Sequence, residues 1–94
     1  MATFIMFGNY SHESVKHISA LRTEQTKELI KKNGGELKAG YAILGDNDLV
    51  LIVDFPGRHQ ALKTSVGLSK LLGIAFSTSP AVTIDEFDKL IEDV

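Results

Sequence analysis

Gly34-Gly-Glu-Leu-Lys-Ala-Gly-Tyr-Ala-Ile-Leu-Gly-Asp-Asn-Asp-Leu-Val-Leu-Ile-Val-Asp54 decides the fold of this chain. It reads as two strands joined by a tight turn. Gly45-Asp-Asn-Asp48 supplies residues that accept positive φ or bond their own backbone, as a hairpin connection requires. Leu49 to Val53 contains no polar residue. A strand wet on one face alternates apolar with polar, so this run predicts cover on both faces.

Outward from the hairpin the elements follow in turn. Thr3 to Phe7 is β-branched and aromatic and is closed by Gly8-Asn9, a strand signature. From about Val15 the pattern turns helical, with Ile18, Leu21, Gln25 and Leu29-Ile30 near one face. Thr23 is an alternative cap for a shorter second segment. Asn33-Gly34-Gly35 ends the helix, glycine being free to take the left-handed position. Pro56-Gly57 breaks the second hairpin strand. Arg58 to Leu72 carries apolar and small residues three and four apart and predicts a second helix, closed by Gly73. Ile74 to Val82 reads as the last strand. Thr83 and Glu86 form a capping box, Val82 is placed to staple onto Phe87, and a short helix follows, roughly to Ile91.

The order strand, helix, strand, strand, helix, strand, with one added helix, predicts an α+β fold. It is the ferredoxin-like βαββαβ arrangement, an antiparallel sheet with both main helices on one face. All 94 residues fall into a single domain, residues 1–94. The helices leave one sheet face open. Phe4 and Met6 lie on one side of the first strand, and Thr3, Ile5 and Phe7 on the other. Leu49, Leu51 and Val53 alternate in the same way with Val50 and Ile52. Neither set suits water over a contiguous area, which predicts a homodimer through the open face.

Composition narrows the function classes. Apolar residues make up 44% of the chain and charged residues 23%, an ordinary globular mix. The net charge of −2 and the single adjacent basic pair, Lys31-Lys32, argue against a nucleic-acid or anionic-membrane partner. There is no Cys, hence no disulfide, thiolate nucleophile or Cys-x-x-Cys metal carrier. The first residues lack a basic leader and a long apolar run, so the expectation is a cytoplasmic protein.

Candidate chemistry rests on few residues. His12, His17 and His59 are the three imidazoles, the side chain that titrates nearest neutrality. His12 and His17 do not have the i, i+4 spacing that aims two ligands from one helical face, so no metal is expected. His17 is the preferred catalytic candidate, because it follows the first strand where a cleft can open. Tyr10 and Tyr41 join it, with Asn9 nearby: a phenol at the mouth of an apolar cavity can orient a small molecule or donate a proton. The plainer reading is a ring buried with its hydroxyl wet. Asp46, Asp48 and Asp54 are too few for an oxygen cation site, and turn chemistry accounts for the first two. Gly34-Gly35, Gly40 and Gly45 form neither a phosphate loop nor a dinucleotide fingerprint, so no cofactor is expected. The strand Leu49–Val53 has no aromatic for base stacking, which weighs against RNA.

Tyr10-Ser11 before Ser14-Val-Lys16, Gly35-Glu-Leu-Lys38, Tyr41-Ala-Ile-Leu-Gly45, Asp48-Leu-Val-Leu-Ile-Val-Asp54 and Phe87-Asp-Lys-Leu90 together resemble the GYD-domain family. The resemblance spans nearly the whole chain and rests on the succession rather than on any one motif. It implies the dimeric α/β-barrel superfamily, in which two ferredoxin-like sheets pack face to face. The aromatic of the family's named turn is absent, and Asn47 stands at its place. The resemblance implies no defined activity; relatives in the superfamily include small monooxygenases and isomerases, and a fold does not carry function across. The expectation is therefore a homo-oligomer that binds a small apolar or amphipathic molecule at a cavity near the sheet face. The alternatives are a cofactor-independent monooxygenase- or isomerase-like enzyme and a purely structural or regulatory oligomerisation module.

Overall fold

The computed structural model describes residues 1–94. The elements are β1 (Ala2–Tyr10), α1 (His12–Val15), α2 (Ala20–Lys32), β2 (Glu36–Ala42), β3 (Leu49–Phe55), α3 (Arg58–Leu72), β4 (Ile74–Ala81) and α4 (Ile84–Leu90). The strands form one antiparallel sheet in the order β2-β3-β1-β4. This is the ferredoxin-like α+β arrangement. Met6 lies opposite Leu51 on one side of β1 and opposite Thr78 on the other. Leu37 of β2 faces Val53, and the register then slips between Leu37 and Ala39.

Alternation along the strands sorts the side chains. Phe4, Met6, Leu51, Val53 and Phe55 point to one face and are buried against Ile30 of α2 and Ala61, Leu68 and Leu72 of α3. Phe4 and Phe55 meet edge to face, with ring centroids 5.9 Å apart. Gly8 lies on this face, where a Cβ would come within 2.8 Å of the Phe76 ring. The two main helices are also tied by a polar contact, Asn33 Nδ2 donating to the buried Thr64 Oγ1 at 2.8 Å.

The other sheet face carries no helix. Across it run two rows of partners, Ala39–Ile52–Ile5–Ser79 and Tyr41–Val50–Phe7–Ser77. Within one chain Val50 and Ile52 are therefore only half-buried, while Leu51 and Val53, which alternate with them, are covered. The chain itself covers one face of β3; the cover expected on the other is that of a second copy.

The first helical region differs from the sequence expectation of one helix from about Val15. Ser11 caps α1 and Ser19 caps α2, each through its side-chain oxygen, and the chain breaks between them. Ile18 and Leu21, placed by periodicity on the buried face, are 58% and 68% exposed. The caps set the boundaries, and the stretch between them stands off the sheet without burying its apolar side chains. Elsewhere the boundaries agree. Gly34 and Gly73 adopt φ of 82° and 67° after α2 and α3. Thr83 Oγ1 accepts from the Glu86 N–H at 3.1 Å and starts α4. Ile84, Phe87 and Leu90 of α4 are exposed.

Candidate functional site

Because α2 sits on the sheet mainly through its C-terminal half, where Ile30 is its one buried residue, its N-terminal half stands off. A cleft of about 550 Å³ opens beneath it. The floor is apolar: Leu37, Leu49, Leu51, Leu72 and Ile74 line it. Gly40 lines it as well, and its missing Cβ would lie 3.1 Å from Leu51 Cδ2. The cleft thus lies on the helical side of the sheet, whereas the apolar open face had suggested the opposite side.

Of the residues singled out in the sequence, Tyr10 and Tyr41 both line this cleft. Tyr10 ends β1 and is fixed by its backbone, the N–H donating to Asp48 Oδ2 at 3.0 Å. The hairpin turn is the device that holds it. Asp48 N–H donates to Gly8 O at 2.9 Å, and Asn9 Nδ2 donates to Asn47 Oδ1 at 3.1 Å. Asp48 therefore closes the end of β1. Asp54, next to last in β3, accepts from Thr3 Oγ1 at 2.7 Å across the open face. Tyr41 belongs to edge strand β2 opposite Val50, a position on the open face, so it borders the cleft from the strand edge rather than from its floor. His17 is outside the lining. It follows α1, exposed, with Nε2 3.4 Å from Glu13 Oε1. His59 lies with Lys32, Asn33 and Lys63 in a separate shallow polar depression.

Arg22 lines the cleft and was not singled out in the sequence. Nη2 donates to Leu72 O, the last carbonyl of α3, and to Ser14 Oγ at 3.3 Å, while Nη1 donates to His17 O at 3.4 Å. Ser14 Oγ in turn donates to Leu72 O at 2.6 Å. The guanidinium and hydroxyl together satisfy a carbonyl at the negative end of the α3 dipole. Nothing local in Leu21-Arg22-Thr23 signals this, because the partner lies fifty residues on.

Chemically the cleft offers an apolar surface, a phenol, several hydroxyls and one anchored cation. Its lining holds no His and no carboxylate, the commonest general bases. No group of three or more His, Asp or Glu side chains is arranged to hold a metal ion.

Sheet order and helix placement define a ferredoxin-like α+β protein. The chain belongs to the GYD domain family, whose model matches residues 4–91. No curated protein matches the sequence. Among solved structures, the leucine response regulatory protein LrpA of Mycobacterium tuberculosis is similar, with a TM-score of 0.58 at 6% identity. The match covers 87% of this chain and 51% of that one, so this chain spans about half of LrpA's length. At that identity the likeness is one of fold. No helix is long and apolar enough to cross a membrane.

Proposed function

We propose that this protein binds a small apolar or amphipathic molecule in the cleft between α2 and the sheet, and that it does so as a homo-oligomer. The cleft itself carries the reading: an apolar floor under a lifted helix, with few polar groups, is the usual composition of a small-molecule site. Tyr10 is the group on the cleft wall that orients the ligand. In an enzymatic version Tyr10 moves the proton, and Tyr41, beside Val50 on the open face, and His17, exposed beside Glu13, join it only by turning into the cleft.

Self-association is supported by separate features. Ile5, Phe7, Val50 and Ile52 form a contiguous apolar centre on a sheet face that no helix of the same chain covers. The exposed Ile84, Phe87 and Leu90 of α4 add apolar surface beyond the sheet. A second copy is the simplest occupant of a self-complementary face.

The test is titration with the neutral fluorophore N-phenyl-1-naphthylamine. A saturable rise in emission with one site per chain is expected. Emission that grows linearly without saturating rejects the cleft as a binding site.

A further inference from the structure

We infer that the cleft takes a singly charged anionic amphiphile, a carboxylate head on an apolar body, and that Arg22 receives the head. The inference rests on the cleft being a binding site and names the class of molecule it selects.

Charge in the cleft is one-sided. Its lining contains two cations, Arg22 and Lys27, and no Asp or Glu. Lys27 has a carboxylate at hand, with Glu24 Oε1 at 3.5 Å. Arg22 has none: the chain's four ion pairs are Lys16–Glu13, His17–Glu13, Lys27–Glu24 and Lys38–Glu36. Every oxygen that Arg22 reaches is neutral, being the Leu72 carbonyl, the His17 carbonyl and the Ser14 hydroxyl. Those partners occupy three of the five guanidinium N–H groups. These acceptors carry no full charge, and the C-terminal end of the α3 dipole at Leu72 offsets the guanidinium only in part.

The surroundings raise the value of an anion at this place. Leu72, Ile74, Leu49 and Leu51 line the same cleft, so a ligand seated there displaces water and lowers the local dielectric. A carboxylate accepting a remaining guanidinium N–H makes a charge-assisted bond, about twice as strong as a neutral one. The three existing bonds hold the side chain in position beforehand, which removes most of the ordering cost on binding. One cation without a carboxylate partner matches one negative charge, which favours a carboxylate over a phosphate dianion. Tyr10 offers a neutral donor on the same lining.

The experiment is competition against N-phenyl-1-naphthylamine by three molecules of equal chain length: decanoate, decanol and decyltrimethylammonium, each kept below its micellar concentration. Decanoate is expected to bind at least about tenfold tighter than decanol, the ratio a single charge-assisted bond supplies. The decyl cation should bind weakest, and added salt should weaken decanoate alone. In Arg22→Gln the decanoate-to-decanol affinity ratio, taken within the variant, should fall to about one, and Arg22→Lys should restore part of the preference. If Arg22→Gln does not fold, the ranking of the three competitors on the unaltered protein and the Arg22→Lys result still decide. Equal displacement by decanoate and decanol overturns the anionic head while the cleft reading stands. No binding of fluorophore or competitor overturns both.

Discussion

Asp48 shows how a single residue of the turn reaches the cleft. Its carboxylate accepts the Tyr10 N–H at 3.0 Å, and its own N–H and C=O bond Gly8 and Ile43 at 2.9 Å each. Asp48→Ala keeps the two backbone bonds and leaves a part-buried N–H without its acceptor. The expected loss is about 1–2 kcal/mol, read as a lower urea midpoint at unchanged slope. Asp48→Asn retains an acceptor oxygen and should lose less; a wild-type midpoint for Asp48→Ala would show that water replaces the carboxylate. At this scale the sequence was legible where a signal is local. Thr83, Gly34 and Gly73 announce their caps within a few residues. Asp48 was readable as a turn residue, but not as the partner of Tyr10, because that bond joins positions 38 apart. Arg22 was unreadable for the same reason.

Elements divide in the same way. The spacing of α3 predicts Arg58 to Leu72, and those are its bounds, because a continuous stripe from Ala61 to Leu72 is buried along its whole length. The α1–α2 region has apolar residues at helical spacing that are not packed against the sheet, and Ser11 and Ser19 set the boundaries instead. The resulting standoff of α2 creates the cleft, a feature that periodicity alone cannot reveal. Strand β2 gives a way to close it. Gly40 lines the cleft, and a Cβ there would lie 3.1 Å from Leu51 Cδ2 and 4.0 Å from Val50 O. Gly40→Val adds a β-favouring side chain to an edge strand and fills space above the floor. Fluorophore affinity should fall roughly tenfold, equivalent to ~1.4 kcal/mol, with thermal stability unchanged or higher. Unaltered affinity would place the bound molecule away from β2.

For the whole molecule the decisive contrast is between adjacent residues of β3. The order of elements made the sheet order legible, and the apolar run Leu49–Val53 made it legible that β3 is greasy on both sides. Which side meets which cover follows only from register. Leu51 is 5% exposed, opposite Met6 and under the helices, whereas Ile52 lies opposite Ile5 on the face without a helix. A carboxylate at either position has a different consequence. Leu51→Asp puts a charge into the core with no partner, a change large enough to unfold a domain of marginal stability. Ile52→Asp leaves the core intact and puts the charge on the open face. In an assembled protein that charge must be desolvated or the assembly must come apart. Sedimentation at micromolar concentration should therefore find the unaltered chain associated, Ile52→Asp folded by circular dichroism but monomeric, and Leu51→Asp unfolded. If the unaltered protein sediments as a single chain, the open face is solvated and the oligomer is excluded. The cleft is built entirely from one chain, so ligand binding would survive that result.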